Sequence, residues 1–135
     1  MKRARPSNLK SLFIITSLAL ILAACTTGGP KTEKGPRGTI AYFVEVDASE
    51  KGARIDVDNE HIGSAPTVWK VFGDKDGTFH DFGNFDHKVT AYPISGGLQP
   101  QTKAFKTGRF LSGEDRIPKK IYFDFSQPPA PSDAK

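Results

Sequence analysis

The sequence holds 135 residues, 25% of them charged and 10% aromatic, with a formal net charge of +4 and a single cysteine. The positive balance sits at the front, on Lys2, Arg3, Arg5 and Lys10; after Cys25 the 15 acidic residues are matched by 15 basic ones. That neutrality argues against the basic surface a nucleic-acid binder needs, and one thiol excludes an internal disulfide.

Residues 1–24 open with the four basic residues and no acidic one, then run from Leu12 to Ala24 through apolar or small residues broken only by Thr16 and Ser17. A helix needs ~20 apolar residues to cross a hydrocarbon core. The run is shorter than that and has the layout of a secretory signal. Its end, Leu22-Ala23-Ala24-Cys25, resembles the lipobox of bacterial lipoproteins. The resemblance implies cleavage before Cys25, diacylation of its sulfur, acylation of the new amine and attachment to a membrane. Two or more acyl chains are what make such anchoring stable. The alternatives are a plain signal peptide with Cys25 as a bystander and a cytosolic protein with an accidental apolar N-terminus. Thr26, where Asp would imply inner-membrane retention, implies the outer membrane by similarity to enterobacterial sorting.

Residues 25–37 carry three glycines, two prolines and no large apolar side chain, so they are expected to form a flexible tether. The folded domain is expected over 38–126. Residues 39–47 are rich in β-branched and aromatic types and read as a strand. Residues 54–58 alternate strictly, placing Ile55 and Val57 on one buried face. Asp58 and Asn59 tolerate left-handed backbone and mark a turn. Pro66 lacks a ladder donor and marks a strand start or edge, and 67–72 form the next strand.

Residues 73–77 are a loop. Residues 78–86 carry Phe79, Phe82 and Phe85 at intervals of three, but Gly83-Asn84 breaks a helix there, which leaves an aromatic loop or short edge strand. Strands follow at 87–94, more weakly at 101–110, and at 119–125, where Ile121, Phe123 and Phe125 share a face. Residues 127–135 are expected to be a disordered tail. Five to seven short strands with a turn about every ten residues define an all-β chain, a small antiparallel β-sandwich.

Gly52-Ala53-Arg54-Ile55-Asp56-Val57-Asp58 followed by Ile62-Gly63-Ser64-Ala65-Pro66 resembles the PEGA domain family. Its pattern is Pro-Glu-Gly-Ala, a short alternating strand, Asp-Gly and Gly-x-Thr-Pro. Here Glu50-Lys51 stand for Pro-Glu, Asn59 for the turn glycine and Ala65 for threonine. The resemblance implies a transthyretin-like sandwich in a surface setting and no defined chemistry.

Catalytic signatures are thin. His61, His80 and His87 with Asp81 and Asp86 offer zinc-type donors, but without the helical spacing of zinc motifs. Asp74-Lys75-Asp76-Gly77 starts like a calcium loop, yet its twelfth position is Phe85 rather than Glu. There is no Gly-x-Ser-x-Gly elbow. No enzyme activity, metal or cofactor is expected. Trp69, Phe79, Phe82, Phe85 and Tyr92 are candidates for an exposed aromatic binding surface, with plain core packing as the other reading. The sequence therefore points to a lipid-anchored adaptor contacting another envelope protein. The alternatives are a module binding peptidoglycan or polysaccharide through loop aromatics, and a metal enzyme built on the His–Asp pairs.

Overall fold

The computed structural model describes residues 32–130. The expected leader, Cys25 with the first part of the tether, and the last five residues of the tail lie outside the described residues. Seven strands are present: β1 (Ile40–Ala48), β2 (Arg54–Val57), β3 (Glu60–Ser64), β4 (Thr67–Gly73), β5 (Asp86–Tyr92), β6 (Gln101–Lys106) and β7 (Lys120–Phe123). They form a three-stranded sheet in the order β4-β1-β7 and a four-stranded sheet in the order β3-β2-β5-β6. The expected all-β sandwich is the architecture found.

Alternation builds both layers. Val44 and Val46 of β1, Trp69 and Val71 of β4, and Ile121 and Phe123 of β7 point inward from the smaller sheet. Ile55 and Val57 of β2 meet them with Val89 and Ala91 of β5 from the larger one. Full burial of such side chains stabilises by about 1.5–3 kcal/mol each. β2 and β3 form a two-residue hairpin whose turn residues Asp58 and Asn59 have φ of 50° and 68°. Two consecutive positive φ values match the twist of the flanking strands, and Asp and Asn adopt them at low cost.

Four features depart from the sequence expectation. β3 was not expected, because Glu60–Ser64 holds one large apolar residue; its pairing with β2 makes it a strand. β7 runs parallel to β1, while every other pair is antiparallel. β6 stops at Lys106 rather than reaching Phe110, because Gly108 and Phe110 take φ of 83° and 58° and turn the chain out of the sheet. The ordered body also starts ahead of residue 38. Ala41 N donates to Glu33 O at 2.9 Å and Gly35 N to Thr39 O at 2.8 Å. A Cβ on Gly35 would lie 2.3 Å from the Phe72 ring, so its lack of a side chain lets the segment lie flat on β4.

The long connections gather at one end of the sandwich. Thr78 bridges to Arg116 and Phe79 to Gly73, and Phe79 N donates to Asp115 O at 3.0 Å. Gly73 has no space for a Cβ, since Ile117 and the Thr78 carbonyl occupy that volume. Residues 107–114 leave β6 as a closed excursion, with Thr107 bridged to Glu114. The first described residues arrive at this same end, where Arg37 donates to the Asp81 carbonyl at 3.4 Å.

Candidate functional site

The five aromatic residues singled out in the sequence do not form one surface. Trp69 and Phe79 are buried, their rings stacked with centroids 5.8 Å apart. Phe79 also packs on His87 and Phe105, each at 5.5 Å, which makes it the plug that ties the 74–85 connection to the core. Phe82 is half-buried, edge-on to His80 at 4.6 Å, with the Arg37 guanidinium 5.8 Å away. Tyr92 is exposed but lies at the far end of β5, 5.5 Å from the Arg54 guanidinium. Only Phe85 remains as an exposed ring in the loop region.

Phe85 instead joins two residues that sequence reasoning left inside a strand. Its ring stacks on Phe110 at 5.7 Å, and the Arg109 guanidinium lies 4.7 Å from one ring centroid and 5.3 Å from the other. Arg109 also donates to the Gly83 carbonyl, which links the two loops. Phe110 is 76% exposed and Leu111 stands fully in solvent. The available signal was Phe110-Leu111 bracketed by Gly108 and Gly113, the pattern of an apolar loop tip rather than a strand.

A second apolar surface is the outer face of the smaller sheet. Phe43 (62% exposed), Val68 (57%) and Tyr122 (46%) point away from the core. In the β1–β4 register Phe43 opposes Lys70, Ala41 opposes Phe72, and Glu45 opposes Val68. Phe43 is thus the diagonal neighbour of both Phe72 and Val68, within reach of long side chains. The charges around it are already paired: Lys120 with Glu45 at 2.9 Å, Lys70 with Glu33, and Lys51 with Asp47 at 2.6 Å. Glu45 holds the Lys120 ammonium above its usual range, and Lys51, then the Ala48 amide, hold the Asp47 carboxyl below its own. A groove of about 460 Å³ between β3 and β4 shares Val68, Lys70 and Phe72 with this face and reaches inward to Trp69 and His87.

The histidines pair with carboxylates other than their sequence neighbours. His61 Nδ1 meets Asp56 at 3.2 Å, His80 Nδ1 meets Asp74 at 2.9 Å and His87 Nδ1 meets Asp58 at 2.7 Å. Asp81 instead accepts from the Gly83 amide, and Asp86 lies 3.9 Å from Lys88. Among the described residues no group of three or more His, Cys, Asp or Glu is placed to hold a metal ion. Residues 74–77 form a turn, closed by Gly77 N on Asp74 O at 3.0 Å. The Thr78 hydroxyl and amide hold the Asp76 carboxyl below its usual range.

No protein-family model, curated protein or solved structure matches this chain.

Proposed function

We propose that this protein is a non-enzymatic lipoprotein of a Gram-negative envelope, held through acylated Cys25, whose sandwich docks on another envelope protein. The outer membrane is its expected location. The observation that carries the docking role is the outer face of the smaller sheet, where Phe43, Val68 and Tyr122 are left in water while neighbouring charges pair among themselves. Such a face gains by apolar burial against a partner, and the charges beside it already have partners of their own. The PEGA-like run occupies β2, its turn and β3, in keeping with a surface module. The glycan reading would use the loop aromatics, of which Phe85 and Phe110 stack on each other with the Arg109 guanidinium against both.

The test is in-cell photocrosslinking. A benzophenone amino acid at Phe43 should give a discrete protein adduct, identified by mass spectrometry, and the same group at Ala104 of β6 should give none. Equal adducts from both positions, or none from Phe43, would remove the docking role. Cys25→Ser should abolish membrane partitioning and the mass of the acyl chains; an unchanged mass would remove the anchor.

A further inference from the structure

We infer that the Phe110-Leu111 tip is a second membrane contact, inserted into the headgroup–acyl boundary of the bilayer that carries the anchor. The inference rests on the lipid-anchor reading above and adds a lipid-binding site to it. Three observations support it together.

The first is shape. Leu111 is fully exposed and Phe110 is 76% exposed, at the turn of an excursion closed at its base by the Thr107–Glu114 bridge. Arg109 braces the pair from behind through the Phe85 ring and the Gly83 carbonyl. A braced apolar projection is suited to entering a soft apolar phase, where burial of a Phe and a Leu is favourable.

The second is position. The Pro36–Gly38 turn ahead of β1 lies at this end, with Arg37 on the Asp81 carbonyl, Phe82 beside Arg37, and Arg109 on the Gly83 carbonyl two residues on. Cys25 precedes Thr32 by seven residues, a contour of at most about 25 Å when fully extended. A lipid at Cys25 therefore leaves this end within reach of the membrane surface.

The third is charge. Along residues 106–116, Lys106, Arg109 and Arg116 stand against Glu114 and Asp115, a balance within one charge of neutral. The local field selects for neither anionic nor cationic headgroups, so insertion is driven by the apolar pair and is weakly sensitive to salt.

The experiment uses the acylated protein purified from membranes. Cys25 is the only cysteine, so once acylated it leaves no thiol, and Leu111→Cys adds a single site for an environment-sensitive nitrobenzoxadiazole dye. Gly96→Cys is the control. It lies between β5 and β6 at the opposite end, where an added Cβ meets open space. Each labelled protein is reconstituted into phosphatidylethanolamine–phosphatidylglycerol vesicles with and without nitroxide-bearing lipid. The tip label should shift to the blue, gain emission several-fold and lose it to the nitroxide lipid, while the control label stays in water, in low and high salt alike. If both labels stay in water on vesicles that still carry the protein, the tip contact is overturned and the anchor stands. Equal quenching at both positions overturns the tip as well. If the unsubstituted protein takes up the dye, Cys25 is free, and the anchor and the tip contact fall together.

Discussion

The outer faces of the two sheets are built on opposite terms. On the larger sheet, Arg54 Nε and Nη2 donate to both Asp56 oxygens at 2.8 and 2.9 Å, His61 meets the same carboxylate, and the Thr90 and Thr102 hydroxyls pair across strands at 2.9 Å. The polar groups named there are satisfied within the face. On the smaller sheet the ion pairs also close on themselves, yet Phe43, Val68 and Tyr122 are left against water. A face that completes its own hydrogen bonds contributes to the fold; one that leaves adjoining carbon exposed has apolar surface to bury against a partner. The two faces are thus distinguished by what remains unsatisfied rather than by strand type.

Both faces exist only while the shared interior holds. Phe79 reaches that interior from a connection rather than a strand, packing on Trp69, His87 and Phe105. Phe79→Ala should lower unfolding free energy by about 3–5 kcal/mol, read by denaturant unfolding. That is a large part of the ~5–15 kcal/mol available to a small domain. A loss under about 1 kcal/mol would mean that residues 74–85 are not pinned to the core, and that the loop end is not a fixed platform.

The polar face is broken at Asp56, which is buried beneath exposed Arg54. Asp56→Asn should cost about 1–2 kcal/mol, the lower part of the range for hydrogen bonds to a charged group, because solvent screens Arg54. The pH dependence follows in sign. The Arg54 hydrogen bonds, followed by His61, hold the Asp56 carboxyl below its ordinary value of 3.8 against the opposing effect of burial. A depressed carboxyl stabilises the fold above its unfolded value, and that contribution is lost as pH falls through the lower, folded one. Asp47, Glu50, Asp76 and Asp124 are lowered too. Thermal melts of the unsubstituted protein should therefore fall below about pH 4, and those of Asp56→Asn should fall less steeply. Parallel slopes would remove Asp56 as a contributor.

Local pattern carried most of the fold. Strict alternation from Arg54 to Val57 and the Asp58-Asn59 turn correspond to β2 and its hairpin. Pairing at a distance left less trace: Glu60–Ser64 is a strand because β2 lies beside it, and nothing local marks β7 as parallel to β1. Phe79, Phe82 and Phe85 show the limit for sites. Equal spacing gives them three environments, buried, half-buried and exposed, because isolated bridges to Gly73 and Arg116 set the path there and no periodic element does. The histidines teach the same lesson, since His80 takes Asp74 across the 74–77 turn and His87 takes Asp58 from the β2–β3 hairpin, in preference to Asp81 and Asp86 beside them. Phe43 and Val44 are neighbours in one apolar run, and only the stacking of the other sheet decides which of them is inside.

The exposed face is broken by the gentlest change. Thr suits a pleated surface as well as an aromatic does, so Phe43→Thr should leave the strand paired. Phe43 contributes little to the core, and its removal should alter stability by no more than about 0.5 kcal/mol, as for surface positions generally. Association should respond in the opposite proportion. If Phe43 sits at the centre of a buried contact, its truncation costs about 2 kcal/mol or more of binding, a loss of about thirtyfold at 1.4 kcal/mol per decade. The adduct formed by a benzophenone group at Tyr122 reports this directly, because Tyr122 lies on the same face and is left intact as a position. It should fade when Phe43→Thr is added, while the melting temperature holds. A lowered melting temperature with an undiminished adduct would reverse the assignment, making this face part of the fold's own stability and leaving the partner to be sought elsewhere.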